Sequence, residues 1–268
     1  NRPVIEQKTS SQVWSDVVTI SGNLIVTEPV LVEAGTTIKM ASKSSLIFKN
    51  RVHMKGTIEN PIQVVPDTTG TYWGTVAIHG EKTAGSIISN VKMKHGSGAV
   101  FPNVRYIAMV SVHETENITF NHVSLQKNYI YDDMIHIIYS KNVNLNHLVL
   151  EEARSDGLDV DLSTVSIRGG RIDRAGNDAI DLMTSQVLIE KVELMGSGDK
   201  GISVGEGTEA VVFNSYLFEN KIGVQSKDAS RVFIINSDLI NNRQQADSFS
   251  KNWRYAKGGT IVFEKSFI

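Results

Sequence analysis

The sequence predicts an all-β fold, a right-handed parallel β-helix: a solenoid of three short strands in each coil of about 22 residues. Three observations predict it. Ile135, Leu158, Ile180, Ile202 and Val224 recur at separations of 23, 22, 22 and 22 residues. Ile137, Val160, Leu182 and Val204 follow two residues later, and polar His136, Asp159, Asp181, Ser203 and Gln225 occupy the intervening positions. This period-2 alternation marks strands with one buried face. Finally, two more apolar segments follow in register: 143–145, 165–167, 187–189 and 232–234, then 148–150, 170–172 and 192–194, with Leu217 and Leu239.

The spacing of apolar residues is 2, which excludes helical repeats, and no fixed Leu-x-x-Leu-x-Leu frame is present, which excludes a leucine-rich repeat. The chain reads as a single domain over 1–268. Residues 1–12 are expected to cap the open first coil, because a bare solenoid end recruits other strands. Residues 13–125 form less regular coils, with strands expected at 24–26, 30–32, 37–40, 45–48 and 75–78. Residues 126–252 carry the regular 22-residue coils, and 253–268 are expected to cap or continue the last one. The apolar run at 260–268 fits a place inside a longer chain with further domains. Asn121, Asn146, Asn214 and Asn236 precede third strands and are expected to form a ladder between coils.

Lys and Arg number 27 against 29 Asp and Glu, giving a net charge of -2, which argues against nucleic acid as a partner. There are no cysteines, so disulfides, thiolate metal sites and a cysteine nucleophile are excluded. No segment approaches the roughly 18 apolar residues of a membrane span.

Val-Leu-Val-Glu-Ala-Gly-Thr-Thr-Ile-Lys-Met at 30–40, Lys-Gly-Thr-Ile-Glu-Asn-Pro-Ile at 55–62 and Tyr-Trp-Gly-Thr-Val-Ala-Ile at 72–78 resemble the opening coils of bacterial extracellular parallel β-helix proteins. Asp-Gly-Leu-Asp-Val-Asp-Leu at 156–162, Asn-Asp-Ala-Ile-Asp-Leu at 177–182 and Gly-Asp-Lys-Gly-Ile-Ser-Val-Gly-Glu at 198–206 resemble β-helix modules of bacterial surface proteins, some attached to spore-coat-kinase-like domains. The second group is also similar to the active-site coils of polygalacturonase-type glycoside hydrolases. Asp156 and Asp178 match that pattern; Asn177 replaces one acid and Lys200 stands where the family has His. An inverting hydrolase needs a general acid and a general base together, so these departures tell against that chemistry.

Parallel register places Asp133, Asp156, Asp178 and Lys200 in one column on four successive coils, and His136, Asp159, Asp181 and Ser203 in another, with Asp161 and Glu206 just beyond. Two unit charges about 5 Å apart repel by roughly 1 kcal/mol in water and about 3 kcal/mol at an effective dielectric of 20. A bound cation, protonation, splayed turns, or Lys200 with Arg154 and Arg174 would offset that repulsion. Asp133, Asp156, Asp159, Asp178 and Asp181 are the expected shell of a Ca²⁺ ion, which takes six to eight oxygens in irregular geometry. The resemblance to pectate-lyase-like β-helices, where Ca²⁺ acidifies a uronate proton, implies Lys200 as the base, with Asp178 and His136 beside it as catalytic groups. His136 next to Asp159 is a second candidate for an oriented base. Arg154, Arg174, Asp161 and Glu206 are expected to contact the sugar, Tyr129, Tyr131 and Tyr139 to line its groove, and Trp14, Trp73 and Trp253 to offer stacking platforms. The same Asp-Gly, Asn-Asp and Gly-Asp pairs are ordinary turn signals, since Asp bonds nearby backbone N–H groups.

Two functions follow as expectations. One is an extracellular or cell-surface bacterial protein that interacts with acidic or neutral polysaccharide, as a Ca²⁺-dependent lyase or epimerase. The other is a non-catalytic structural or adhesion module of a larger surface protein.

Overall fold

The computed structural model describes residues 12–268, which wind into a parallel β-solenoid. A ten-stranded parallel sheet forms its first face. From one end to the other its strands are Leu24–Val26, Leu46–Phe48, Val76–His79, Ala108–His113, Asp133–Ile138, Leu158–Asp161, Ile180–Met183, Lys200–Gly205, Ile222–Lys227 and Gln244–Phe249. The other two faces share a 17-stranded sheet. On the second, Val143, Val165, Val187, Ala210 and Val232 are consecutive partners. On the third, Leu150, Ile172, Leu194, Leu217 and Leu239 are.

The apolar column of the regular coils holds. Ile135 pairs with Leu158, Leu158 with Ile180, Ile180 with Ile202 and Ile202 with Val224, each fully buried. Each such side chain contributes about 1.5–3 kcal/mol by leaving water. The column continues toward the N-terminus through Val110, Val76 and Leu46.

Three corners per coil let the chain turn, and they share a conformation. After the first face, Tyr139, Leu162, Thr184, Glu206 and Asp228 all have φ between 44° and 58°. Between the second and third faces, His122, His147, Gly169, Lys191, Asn214 and Asn236 lie in the same left-handed region, as do Lys127, Glu152, Arg174, Gly196 and Glu219 after the third. A left-handed residue bends the chain sharply from one face to the next and leaves the flanking strands in register, at a cost that packing of the coils must offset. His122 and His147 belong to this corner, where their rings stack at 4.6 Å. The asparagine ladder forms as two separate pairs, Asn146 to Asn121 at 2.9 Å and Asn236 to Asn214, because Arg168 occupies the register position next to Asn146.

One irregularity of the N-terminal half has a clear physical cause. Val76 and Val110 are partners 34 residues apart, about a dozen more than one coil needs. The excess is an antiparallel hairpin, Ala99–Phe101 with Val104–Tyr106, which lies on the outer side of the first face. There it buries the outward side chains Ile47 and Ala77 beneath Tyr106, with Phe101 and Val104 packed alongside.

The expected cap at 1–12 falls mostly outside the described residues; Gln12 opens the strand Gln12–Trp14, which pairs with Val30–Val32. At the other end Thr260–Glu264 continues the second face beside Arg231–Ile235. Trp73 is no stacking platform: it is fully buried, with its indole N–H on the Lys94 carbonyl at 2.8 Å. Trp14 packs on Phe48, and Trp253 is exposed with Arg254 against its ring. Among the described residues no helix is long and apolar enough to cross a membrane.

Candidate functional site

Outward side chains of the first face stand in three columns, at the start, middle and end of each strand. Asp133, Asp156, Asp178 and Lys200 occupy the first; Ser111, His136, Asp159, Asp181 and Ser203 the second; His79, His113, Ile138, Asp161 and Met183 the third.

In the first column Asp156 and Asp178 each cap the next coil. Asp156 Oδ1 accepts the backbone N–H of Asp178 and the side-chain amide of Asn177, both at 2.8 Å. Asp178 Oδ1 accepts the backbone N–H of Lys200 at 2.9 Å and its ammonium at 3.3 Å. Lys200 also bonds Asp199, which in turn pairs with Lys221 at 3.1 Å. Burial pushes Asp178 up to about 6 despite Lys200. Burial raises Asp156 too, against the hydrogen bonds it accepts. Burial works to lower the pKa of Lys200, but Asp199 and Asp178 outweigh it and leave the ammonium raised. A general base needs the opposite shift, so the structure places Lys200 in an ion-pair network rather than poised to take a proton.

The five acids expected to enclose Ca²⁺ do not converge as a set. Asp156 and Asp178 spend oxygens on the neighbouring backbone, and Asp181 Oδ1 accepts the N–H of Leu182 at 3.0 Å. The convergent group is His136, Asp159 and Asp161, whose ligand-type atoms all lie within 4.8 Å of one another. His136 Nε2 is 3.4 Å from Asp161 Oδ2 and 4.0 Å from Asp159 Oδ2. His136 stands opposite Asp159 across adjacent strands, and Asp161 is two residues further on the same side, so backbone register sets the arrangement. Next to it Asp133 is buried, with Oδ2 lacking any hydrogen-bond partner. Burial, then Asp159 and Asp156, push Asp133 up to about 9; burial, then Asp161 and Asp181, do the same for Asp159.

The third column adds groups the sequence reading did not single out. His113 lies edge-on to His136 with ring centres 5.1 Å apart, and Tyr106 lies 5.1 Å from His113. His79 Nδ1 is 2.7 Å from the Tyr106 hydroxyl. Burial, then His136 and His79, lower His113 to about 3, so it is neutral at ordinary pH. Burial, then Glu114, raises Tyr106 to about 12. The signal for these histidines is in the sequence: Val-Ala-Ile-His at 76–79 and Val-Ser-Val-His at 110–113 put His at the same strand position. The 34-residue spacing hides it.

Beyond His79 a surface cleft of about 880 Å³ opens along the corner after the first face, lined by Lys49, His79, Lys82, Glu114, Tyr139 and Lys141 among others. Tyr139 is 58% exposed there, the one expected tyrosine that lines this cleft. Tyr129 instead stacks on Tyr72, and Tyr131 lies at a smaller cavity by the hairpin. Of the expected sugar contacts, Asp161 joins the His136 group. Arg174 is drawn to Asp173 at 2.6 Å and Glu152 at 3.5 Å, at the corner after the third face. Arg154 is exposed, and its backbone N–H donates to Asn128 Oδ1 at 2.6 Å. Glu206 occupies a first-face corner, where its carbonyl accepts the Thr184 hydroxyl at 3.0 Å.

The family model described as "Right handed beta helix region" matches residues 108–256. Among curated proteins, none matches the sequence. Several solved structures share the fold. A mutant of the periplasmic alginate epimerase AlgG is 10% identical with a TM-score of 0.60, over 95% of this chain and 84% of that one. The pectate lyase pelN from Paenibacillus sp. 0602 is 10% identical with a TM-score of 0.51, over 91% and 78%. The catalytic domain of a GH87 α-1,3-glucanase in complex with tetrasaccharides is 10% identical with a TM-score of 0.53, over 89% of this chain and 54% of that one.

Proposed function

The chain belongs to the right-handed β-helix family, and from that premise we propose that it is an exported polysaccharide-acting protein whose substrate is an acidic glycan, cleaved or epimerised next to its uronate carboxylate. The observation that carries the reading is the continuous polar strip from the lysine-bearing cleft to His136. Lys49, Lys82 and Lys141 offer charge to sugar carboxylates, and Tyr139 offers an exposed ring to a sugar face. The strip then leads through His79, Tyr106 and His113 to His136, Asp159 and Asp161. The proteins with similar folds include ones described as an alginate epimerase and a pectate lyase, both named for acidic polymers.

The chemistry needs a base for the proton on the carbon bearing the carboxylate and a group that neutralises that carboxylate. In elimination the electron pair left behind forms a carbon–carbon double bond while the glycosidic oxygen leaves and takes up a proton. In epimerisation the proton returns to the opposite face. The group around His136 can supply one of the two: without an ion, the imidazole of His136 and the carboxylate of Asp161 are suited to proton transfer, and with an ion held between them the same side chains would instead serve to neutralise the sugar carboxylate.

A structural or adhesive role is favoured by one observation, the use of Asp156, Asp178 and Lys200 as ties between coils. Incubation with alginate, polygalacturonate and a neutral α-1,3-glucan separates the readings. The proposal expects unsaturated products or an altered epimer ratio from an acidic polymer only. No binding to and no change in either acidic polymer would overturn it.

A further inference from the structure

We propose that His136, Asp159 and Asp161 form a site for a single divalent ion of the zinc class. The inference deepens the polysaccharide reading only in what the ion's open positions would take; binding of the ion stands independently of it. Three observations converge. The donor atoms come from two hydrogen-bonded strands in fixed register, His136 opposite Asp159 and Ile138 opposite Asp161, so no loop has to be ordered. Their spacing suits a small ion: donors about 2.0–2.2 Å from a tetrahedral centre are about 3.3–3.6 Å apart. His136 and Asp161 are at 3.4 Å, and the 4.0 Å to Asp159 closes with a modest side-chain rotation.

The second observation is the polar accounting. His136 is 5% exposed and its Nε2 faces the two carboxylates. Asp133, beside this group and 1% exposed, has Oδ2 without a hydrogen-bond partner, and buried carboxylate oxygens are ordinarily paired with a donor or a metal ion. The third is charge. Asp178 and Asp199 have lysine partners and Asp173 an arginine, whereas among the described residues no Lys or Arg is within ion-pair distance of Asp159 or Asp161. Two adjacent carboxylates with only a histidine between them are what a dication would offset.

The imidazole decides the ion. Ca²⁺ and Mg²⁺ prefer all-oxygen shells, while imidazole with carboxylates suits Zn²⁺ and its first-row neighbours. Three protein donors leave a position for water or for a sugar carboxylate or hydroxyl, the pattern of an open rather than a closed site.

The test is titration of chelator-treated protein with Zn²⁺, Co²⁺ and Ca²⁺ by calorimetry, without polysaccharide, with the visible spectrum of bound Co²⁺ recorded in parallel. The expected result is one Zn²⁺ per chain, no Ca²⁺ binding, and a Co²⁺ spectrum showing nitrogen ligation. Affinity should fall by about tenfold or more in His136→Gln and in Asp161→Asn, and stay unchanged in Asp199→Asn. No Zn²⁺ binding by the wild-type protein, binding that survives both ligand variants, or a Co²⁺ spectrum without a nitrogen ligand would each overturn the assignment. The Co²⁺ spectrum of the wild-type protein decides the matter even where a variant fails to fold. Zinc binding without action on any polysaccharide would leave the ion site standing and sink the enzymatic reading alone.

Discussion

Asp161 Oδ2 lies 3.4 Å from His136 Nε2, although 25 residues of chain separate the two. The separation is one coil plus the alternation of a strand, so the contact follows from the solenoid repeat and from nothing local. Asp161 holds one side of the imidazole, and the other nitrogen is left unpaired beside His113.

The core column gives the first prediction. Ile180→Ala should cost about 2–5 kcal/mol, as large-to-small changes in packed cores do, and Ile180→Asp should prevent stable folding by burying an unpaired charge. Equilibrium denaturation of the two variants checks this. A melting curve close to wild type for Ile180→Asp would refute the inward assignment.

The capping column gives the second. Asp156→Ala leaves the N–H of Asp178 and the amide of Asn177 without their acceptor, and should cost about 1–3 kcal/mol. Asp156→Asn keeps one acceptor oxygen and should cost less. Equal losses in the two variants, read by denaturant midpoints, would show that the hydrogen bonds are not what Asp156 supplies.

Asp178 gives a pH dependence. Its folded pKa of about 6 lies above the ordinary aspartate value, so the folded state holds this proton more tightly than the unfolded chain. The contribution is therefore full below about pH 4 and is lost as pH rises through about 6, with a slope of up to about 1.4 kcal/mol per pH unit. Asp178→Asn removes the titration. The variant should gain stability relative to wild type between pH 4 and 7, measured by denaturant unfolding at each pH. A constant or shrinking difference would contradict the burial account.

Much of this architecture is legible in the sequence, and the limits have physical causes. From Ile135 to Val224 the period is nearly constant, so apolar columns and outward columns can be written down before any coordinates are known. Before Ala108 the period breaks at the hairpin 99–106 and already between Leu46 and Val76, partners 30 residues apart, and His79, His113 and Tyr106 drop out of view with it. Register also says which side chains share a column but not which way they turn. Asp156 and Asp178 bend toward the backbone of the next coil, as their turn sequences allow, while Asp159 and Asp161 turn toward His136. Arg174 sits at a left-handed corner beside Glu152 and Asp173, a pairing across a coil that no short motif encodes. The cleft is made by the corners of several irregular coils together, so no motif marks it.

The cleft itself gives the fourth prediction. Lys49→Ala combined with Lys141→Ala removes two of its cations without touching the core columns. Affinity for an acidic oligosaccharide should fall by about tenfold, the equivalent of about 1.4 kcal/mol, while affinity for a neutral glucan, if any, is unchanged. Equal affinity of the double variant and wild type for oligouronates would place the glycan elsewhere on the solenoid.

Exchange of the uronate proton with solvent tests the central claim most directly, because elimination and epimerisation both begin with its removal. Oligouronates of alginate and pectate type are incubated with the protein in deuterated water, and the sugar carbon beside the carboxylate is followed by proton NMR. The account predicts deuterium entry at that carbon, or its conversion to the unsaturated sugar, with wild-type protein. It predicts loss of that signal by orders of magnitude in His136→Gln that remains folded by circular dichroism. Undiminished exchange in His136→Gln, or no exchange with any acidic oligosaccharide that binds, would contradict it.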